Sequence, residues 1–204
     1  MSQQYQELFG ILDRIISRYE SKRKNWMNWI KTDGPGLENI DLILVGESPP
    51  WNFDNYFYNV DDEKKLPKGG FFERIMETTI DKRKSKERNL KNFFKKGMWL
   101  TDFFQYPLKG KSNLEGDLVN WHRTRFVEEL GEFPNLDYVI LAGPSSRIEY
   151  LKKLILDLIQ HDEIDLELLG TEDYEDRYAS PWKKKNKPLF KDWAKSYLKK
   201  ANKD

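Results

Sequence analysis

The chain contains no cysteine. That absence excludes a disulfide framework, a thiolate nucleophile, a cysteine-ligated zinc site and an iron–sulfur cluster, and it leaves the redox compartment open because there is nothing to oxidise. Histidine is almost missing as well, with His122 and His161 the only two. Both fall on helix candidates and read as surface or partly packed residues. They cannot form a histidine-rich metal site by themselves, and no acidic cluster at metal-ligand spacing accompanies them, so neither a metal nor another cofactor is expected. Long apolar runs are also lacking: no stretch approaches the roughly 18 residues of a membrane-crossing helix. The first residues, Met-Ser-Gln-Gln-Tyr-Gln-Glu-Leu, have no basic start and no apolar run of secretory type, so a soluble, cytoplasmic protein without a membrane partner is expected. Charge of one sign is not in excess, since 35 Lys and Arg stand against 34 Asp and Glu, and a polyanion would have to be met by a local surface. Two clusters qualify: Lys82, Arg83, Lys84, Lys86 and Arg88, and Lys183, Lys184, Lys185, Lys187 and Lys191. Taken alone, each reads as a solvated face sooner than as a binding site. No serine sits in a Gly-x-Ser-x-Gly frame with a histidine near in sequence, which argues against a serine hydrolase.

What is present is a chain organised around residues 41–59, where the apolar run Leu42, Ile43, Leu44 and Val45 ends in a polar, proline-stiffened and aromatic loop. The run is too short for a helix and too uniformly apolar for a half-exposed strand, so it reads as a parallel strand buried on both faces. Gly46 lets the backbone turn, and Glu47 and Ser48 emerge at the carboxyl end of the strand, where open α/β sheets place their ligands. Pro49 and Pro50 hold the following loop extended. Trp51, Phe53, Tyr56, Phe57 and Tyr58 then come within eight residues, which suggests a lined pocket, with a loop folded back over the core as the alternative.

Similar strand and helix patterns follow the chain. Residues 5–19 carry apolar side chains at spacings of three and four, an amphipathic helix whose continuation to residue 30 is less regular. Residues 33–36, Asp-Gly-Pro-Gly, end it. A second strand over 98–104 ends in Thr101 and Asp102, a third over 137–143 resembles the first, and 164–169 alternates enough to be an edge. Helices are expected over 85–94, 118–130, from 145 onward and over 188–200. The pair Gly69-Gly70 reads as a plain connection, and Gly143-Pro144-Ser145-Ser146 as a helix cap or a phosphate-binding helix start. Strands alternating with helices imply a four-stranded parallel sheet with helices on both faces. At 204 residues, one α/β domain spanning 1–204 is expected, with helical segment 1–32 packed on it.

Three loops thus leave strand ends with chemically capable residues: Glu47 with Ser48, Thr101 with Asp102, and Tyr178-Ala179-Ser180-Pro181-Trp182. In this order, over most of the chain from Asp41 to Leu198, they resemble the motifs of the uracil-DNA glycosylases. Gly46-Glu47-Ser48-Pro49 is similar to that family's Gly-Glu-x-Pro loop, which implies that Glu47 positions the hydrolytic water. Residues 97–102, Gly-Met-Trp-Leu-Thr-Asp, are similar to the strand whose terminal asparagine reads the base edge, and Asp102 stands in that place. Residues 178–182 overlay the His-Pro-Ser-Pro-Leu motif, with Tyr178 where the family has its histidine and Leu189, Phe190, Trp193 and Leu198 on the closing helix. The resemblance implies a base N-glycosylase of the uracil-DNA glycosylase type, with DNA, single- or double-stranded, as partner.

The physical demands of such chemistry stand apart from the name. An enzyme acting on a base takes the nucleotide out of the stack, holds it against aromatic surfaces and reads its edge. Tyr56, Phe57 or Tyr58 would stack, Gly46, Ser48, Pro49 and Ser180 would line the pocket, Trp182 would be the wedge, and Lys183, Lys184 and Lys185 would grip phosphates. An ionised Asp102 offers only acceptors, so it is either protonated, or faces an amino group, or has another job. A tyrosine donates one hydrogen bond but cannot become cationic, so Tyr178 supplies less charge stabilisation than a histidine. A non-catalytic binder of nucleic acid or of a nucleotide, using the same cleft, is the alternative reading.

Overall fold

Short apolar runs bounded by turns become strands here, and the longer runs with apolar residues three and four apart become helices. The structure is a computed structural model that describes residues 3–60, 72–73, 75–76, 85–108, 117–142 and 145–168. Four parallel strands, β1 (Leu42–Gly46), β2 (Met98–Asp102), β3 (Tyr138–Leu141) and β4 (Glu167–Leu168), form one sheet in the order β2-β1-β3-β4. Every residue of β1 and β2 is buried, as parallel strands covered on both faces require. The α-helices described over their full length are α1 (Gln3–Thr32), α2 (Lys86–Phe94), α3 (Asp117–Leu130) and α4 (Ser145–Gln160). None of the helices among the described residues is long and apolar enough to cross a membrane. The connection from β1 moves outward to β2, and the next returns past β1 to β3. Right-handed crossovers therefore put α2 on one face and α3 and α4 on the other. The sheet matches the expected four-stranded α/β architecture, with β4 shorter than the pattern over 164–169 implied and sitting at the edge.

Helix α1 runs unbroken to Thr32 because its buried stripe does not stop at Tyr19. Ile16, Tyr19, Arg23, Trp26 and Ile30 are all buried and follow one another at spacings of three and four. Trp26 packs on Phe94 of α2 with ring centroids 5.5 Å apart, while Lys31 reaches Glu132 just beyond α3 at 2.9 Å. Helix α1 thus lies along β2, the outermost strand on that side, and blocks its open edge. Ser85 caps α2 by accepting from the Arg88 backbone N–H at 3.3 Å, and Gly97, at φ 76°, turns the chain from α2 into β2.

Tyr58 completes the closure of that edge. Its ring stacks on Trp99 at 4.9 Å, and its hydroxyl accepts from the Leu100 N–H at 3.1 Å while donating to the Leu100 carbonyl. The Leu100 backbone groups thereby find a side-chain partner instead of a further strand. The helix expected over 188–200, the pair Gly69-Gly70, Gly143 and Pro144, and the second lysine cluster lie outside the described residues.

Replacing Tyr58 with Phe keeps the ring and removes the only oxygen that serves both Leu100 groups. Leaving such buried groups unpaired costs about 1–3 kcal/mol, so urea unfolding of Tyr58→Phe is expected to show an unchanged slope and a midpoint lowered by that free energy divided by the slope.

Candidate functional site

The site is built on the neighbouring ends of β1 and β2, where Gly46 stands opposite Asp102 in the parallel register. Past this point the strands stay tied, since the Phe103 N–H donates to the Gly46 carbonyl at 2.9 Å and the Phe104 N–H to the Glu47 carbonyl at 2.9 Å. Glu47 therefore follows, by one residue, the position opposite Asp102 at the neighbouring strand end, near enough for its charge to act on the Asp102 carboxyl; Glu47 is half-buried and Asp102 is 7% exposed. Gly46 has a different role from the expected sharp turn. It continues β1, and a Cβ there would come within 2.4 Å of Asp102 Oδ1. A side chain at position 46 would displace the Asp102 carboxylate from the space it occupies.

Asp102 is surrounded by a polar network that reaches back to α1. Its carbonyl accepts from Gln105 Nε2 at 2.9 Å, and the Gln105 Oε1 accepts from the Arg23 guanidinium. Arg23 also donates to Thr101 Oγ1 at 3.3 Å and pairs with Glu129 of α3 at 3.2 Å. Trp99 Nε1 donates to the other Glu129 oxygen at 3.0 Å. Burial pushes the Asp102 carboxyl up to about 7. The Arg23 cation opposes that rise, and the negative charges of Glu129 and Glu47 add to it. The Arg23 guanidinium, although desolvation works against its charge, is held above its ordinary value by Glu129.

Beyond Asp102, His122 of α3 is wholly buried, deeper than the surface or partly packed position expected of it. Its Nδ1 accepts from the Gln105 N–H at 3.1 Å, which fixes the neutral ring with its proton on Nε2, and that nitrogen has no hydrogen-bond partner among the described residues. Phe104, Tyr106 and Trp121 pack around the ring, and burial lowers its pKa to about 4. His161 is exposed.

The loop after Glu47 divides its aromatics. Tyr56, Phe57 and Tyr58 are 1%, 2% and 0% exposed, so the three residues expected to stack on a base are packed in the core instead. Tyr56 meets Tyr19 edge-on at 4.8 Å, Phe57 packs on Phe72 and Phe93, and Tyr58 serves β2. The physical reason is the edge of β2, which this segment covers. Lys86, expected on a solvated basic face, donates to the Tyr56 carbonyl at 2.6 Å, and burial lowers its pKa to about 8. Pro49 is buried, Ser48 half-buried, and the Pro50 carbonyl accepts from the Tyr19 hydroxyl at 2.7 Å. Only Trp51 stays outside, 61% exposed.

Tyr178, Ser180, Trp182, Lys183, Lys184 and Lys185 lie outside the described residues. Arg23, Gln105, Glu129 and the buried His122 were not anticipated. A signal for two of them exists in the sequence: Arg23 falls between Tyr19 and Trp26 on the α1 stripe, and His122 precedes Phe126 and Leu130 at steps of four. Among the described residues no group of three His, Asp or Glu side chains is placed to hold a metal ion. The chain matches no protein-family model, no curated protein and no solved structure.

Removing Arg23 leaves Glu129 as an uncompensated, largely buried charge, a loss of about 3–5 kcal/mol, so Arg23→Ala is expected to lower the urea midpoint far more than Lys24→Ala at the exposed neighbouring position. His122 gives a pH signature. The unfolded chain takes up its proton near 6.5 and the folded chain only near about 4, so its contribution is complete above pH 6.5 and is lost as pH falls toward 4. Melting temperatures measured between pH 7 and pH 4 are expected to fall less steeply in His122→Phe than in the unaltered protein.

Proposed function

We propose that the protein is a base N-glycosylase acting on DNA, of the uracil-DNA glycosylase type, that hydrolyses the bond between C1′ of the sugar and the base nitrogen. The observation that carries this reading is the pair Glu47 and Asp102 on adjacent strand ends, with the Asp102 carboxyl raised to about 7. Near neutral pH Asp102 is partly protonated and offers both a donor and an acceptor, the combination that a base edge requires and that an ionised carboxylate lacks.

In the reaction, water is oriented by the Glu47 carboxylate and its oxygen attacks C1′. The glycosidic bond breaks, its electron pair leaves with the base, and the proton released by the water passes to Glu47. A protonated Asp102 donates a hydrogen bond to a base carbonyl, where negative charge gathers as the base departs. Arg23 does not touch the substrate in this scheme. It positions Gln105, which holds the turn after Asp102, and it limits how far the Asp102 carboxyl rises.

The test is excision from labelled oligonucleotides containing uracil, hypoxanthine, xanthine or a mismatched normal base, single- and double-stranded, with alkali to reveal abasic sites. Glu47→Gln is expected to abolish cleavage. Because the donor form of Asp102 is lost as pH rises through about 7, the rate of the unaltered protein is expected to fall on the alkaline side, and Asp102→Asn to retain activity without that limb. Cleavage unchanged in Glu47→Gln would overturn the mechanism. Salt-sensitive retention without cleavage of any base would replace it with a binding protein using the same cleft.

A further inference from the structure

An exposed indole is common on protein surfaces, but an exposed indole held in one orientation is not explained by packing. Trp51 is 61% exposed, yet its Nε1 donates to the Leu108 carbonyl at 3.0 Å. Trp51 comes four residues after Glu47 and Leu108 six after Asp102, so this bond joins the loops that leave the two strand ends of the site. Beside the indole runs a groove of about 400 Å³ between these loops and α1, lined among others by Arg18, Tyr19, Asn52, Asp54 and Pro107. Arg18 is fixed as well, its guanidinium carbon 3.9 Å from the centroid of the Phe53 ring. A guanidinium laid on a ring keeps its edge donors for an anion.

We propose that this groove binds one nucleotide of single-stranded DNA next to the nucleotide that reacts, its base stacked on Trp51 and its phosphate met by Arg18. The inference rests on the DNA reading above and adds to it a subsite between α1 and the loops that follow β1 and β2. Asp54 bounds the assignment. One cation and one acid on the groove walls suit a single phosphate beside a stacked base, and do not suit a long polyanion track. Stacking tolerates any base, since each has a π-face, so the subsite contributes affinity without selecting sequence.

Fluorescence anisotropy with labelled thymidylate oligomers of one, four and eight nucleotides tests the assignment. Trp51→Ala is expected to weaken the octamer about 5- to 150-fold, the equivalent of one lost stacking contact, and Trp51→Phe to recover most of the affinity. Arg18→Ala is expected to lower the salt slope of binding by about 0.7, the share of one phosphate on a single strand. Equal affinity in Trp51→Ala and the unaltered protein, or no retention of the octamer by the unaltered protein, would overturn the subsite. The two readings fail separately. Binding through Trp51 without excision of any base leaves the groove and removes the glycosylase, whereas excision with kcat/KM unchanged in Trp51→Ala leaves the glycosylase and removes the groove.

Discussion

The guanidinium of Arg23 is the group on which the rest of the arrangement depends. It is a charge on the buried stripe of α1, 6% exposed, and would be costly there without compensation. Glu129 of α3, Thr101 of β2 and Gln105 beyond β2 each take one of its donors. An apolar side chain in its place would pack α1 against the sheet just as closely, but would not fix which turn of α1 faces which residue of β2. The charged network sets that register, and through Gln105 it also fixes the turn that follows Asp102. A single buried cation thus joins the placement of a 30-residue helix to the geometry of a candidate catalytic carboxyl.

The loop after β1 is made rigid by a different means. Its backbone is held at three points by two helices: Tyr19 of α1 at the Pro50 carbonyl, Lys86 of α2 at the Tyr56 carbonyl and Trp26 of α1 at the Tyr58 carbonyl, with the last contact at 3.0 Å. Its aromatic side chains fill the space over the edge of β2. Groups fixed before a ligand arrives lose little freedom on binding it, and the proposed roles of Glu47 and Trp51 both draw on that economy.

The elements of the sheet were legible because their signals are local. Leu42 to Val45 and Tyr138 to Leu141 are runs too apolar and too short for anything but buried strands, and Ser85 announces the start of α2. The carboxylates at the strand ends were legible for the same reason: a polar residue directly after a buried strand has few places to go. What could not be read depended on partners distant in sequence. Gly46 looked like a hinge, yet its lack of a side chain serves Asp102, 56 residues away in the chain and opposite it in the sheet. Tyr56, Phe57 and Tyr58 carried the composition of a binding pocket and became core, because the edge of β2 had to be covered and the β2 sequence, buried at every position, lacks the alternation that marks an edge. Arg23 interrupted an apolar stripe without leaving it, and only the position of Glu129 explains how a cation is tolerated there.

Burial acts on the titratable groups around the strand ends in one consistent direction, toward the neutral form. It raises the Asp102 carboxyl to about 7 and lowers the His122 imidazole to about 4, so the same desolvation keeps an acid partly protonated and a base unprotonated at neutral pH. The charge that remains inside, on Arg23, is matched by Glu129. The inner part of the site therefore presents hydrogen-bonding groups with little net charge, while the half-buried Glu47 and Arg18 on the exposed face of α1 supply the charges farther out. A nucleotide has the same division, with an uncharged base carrying donors and acceptors at one end and an anionic phosphate at the other. That correspondence of polarity, neutral inside and charged outside, is what favours the proposed contacts of the Asp102 carboxyl with a base edge and of the Arg18 guanidinium with the backbone that carries it.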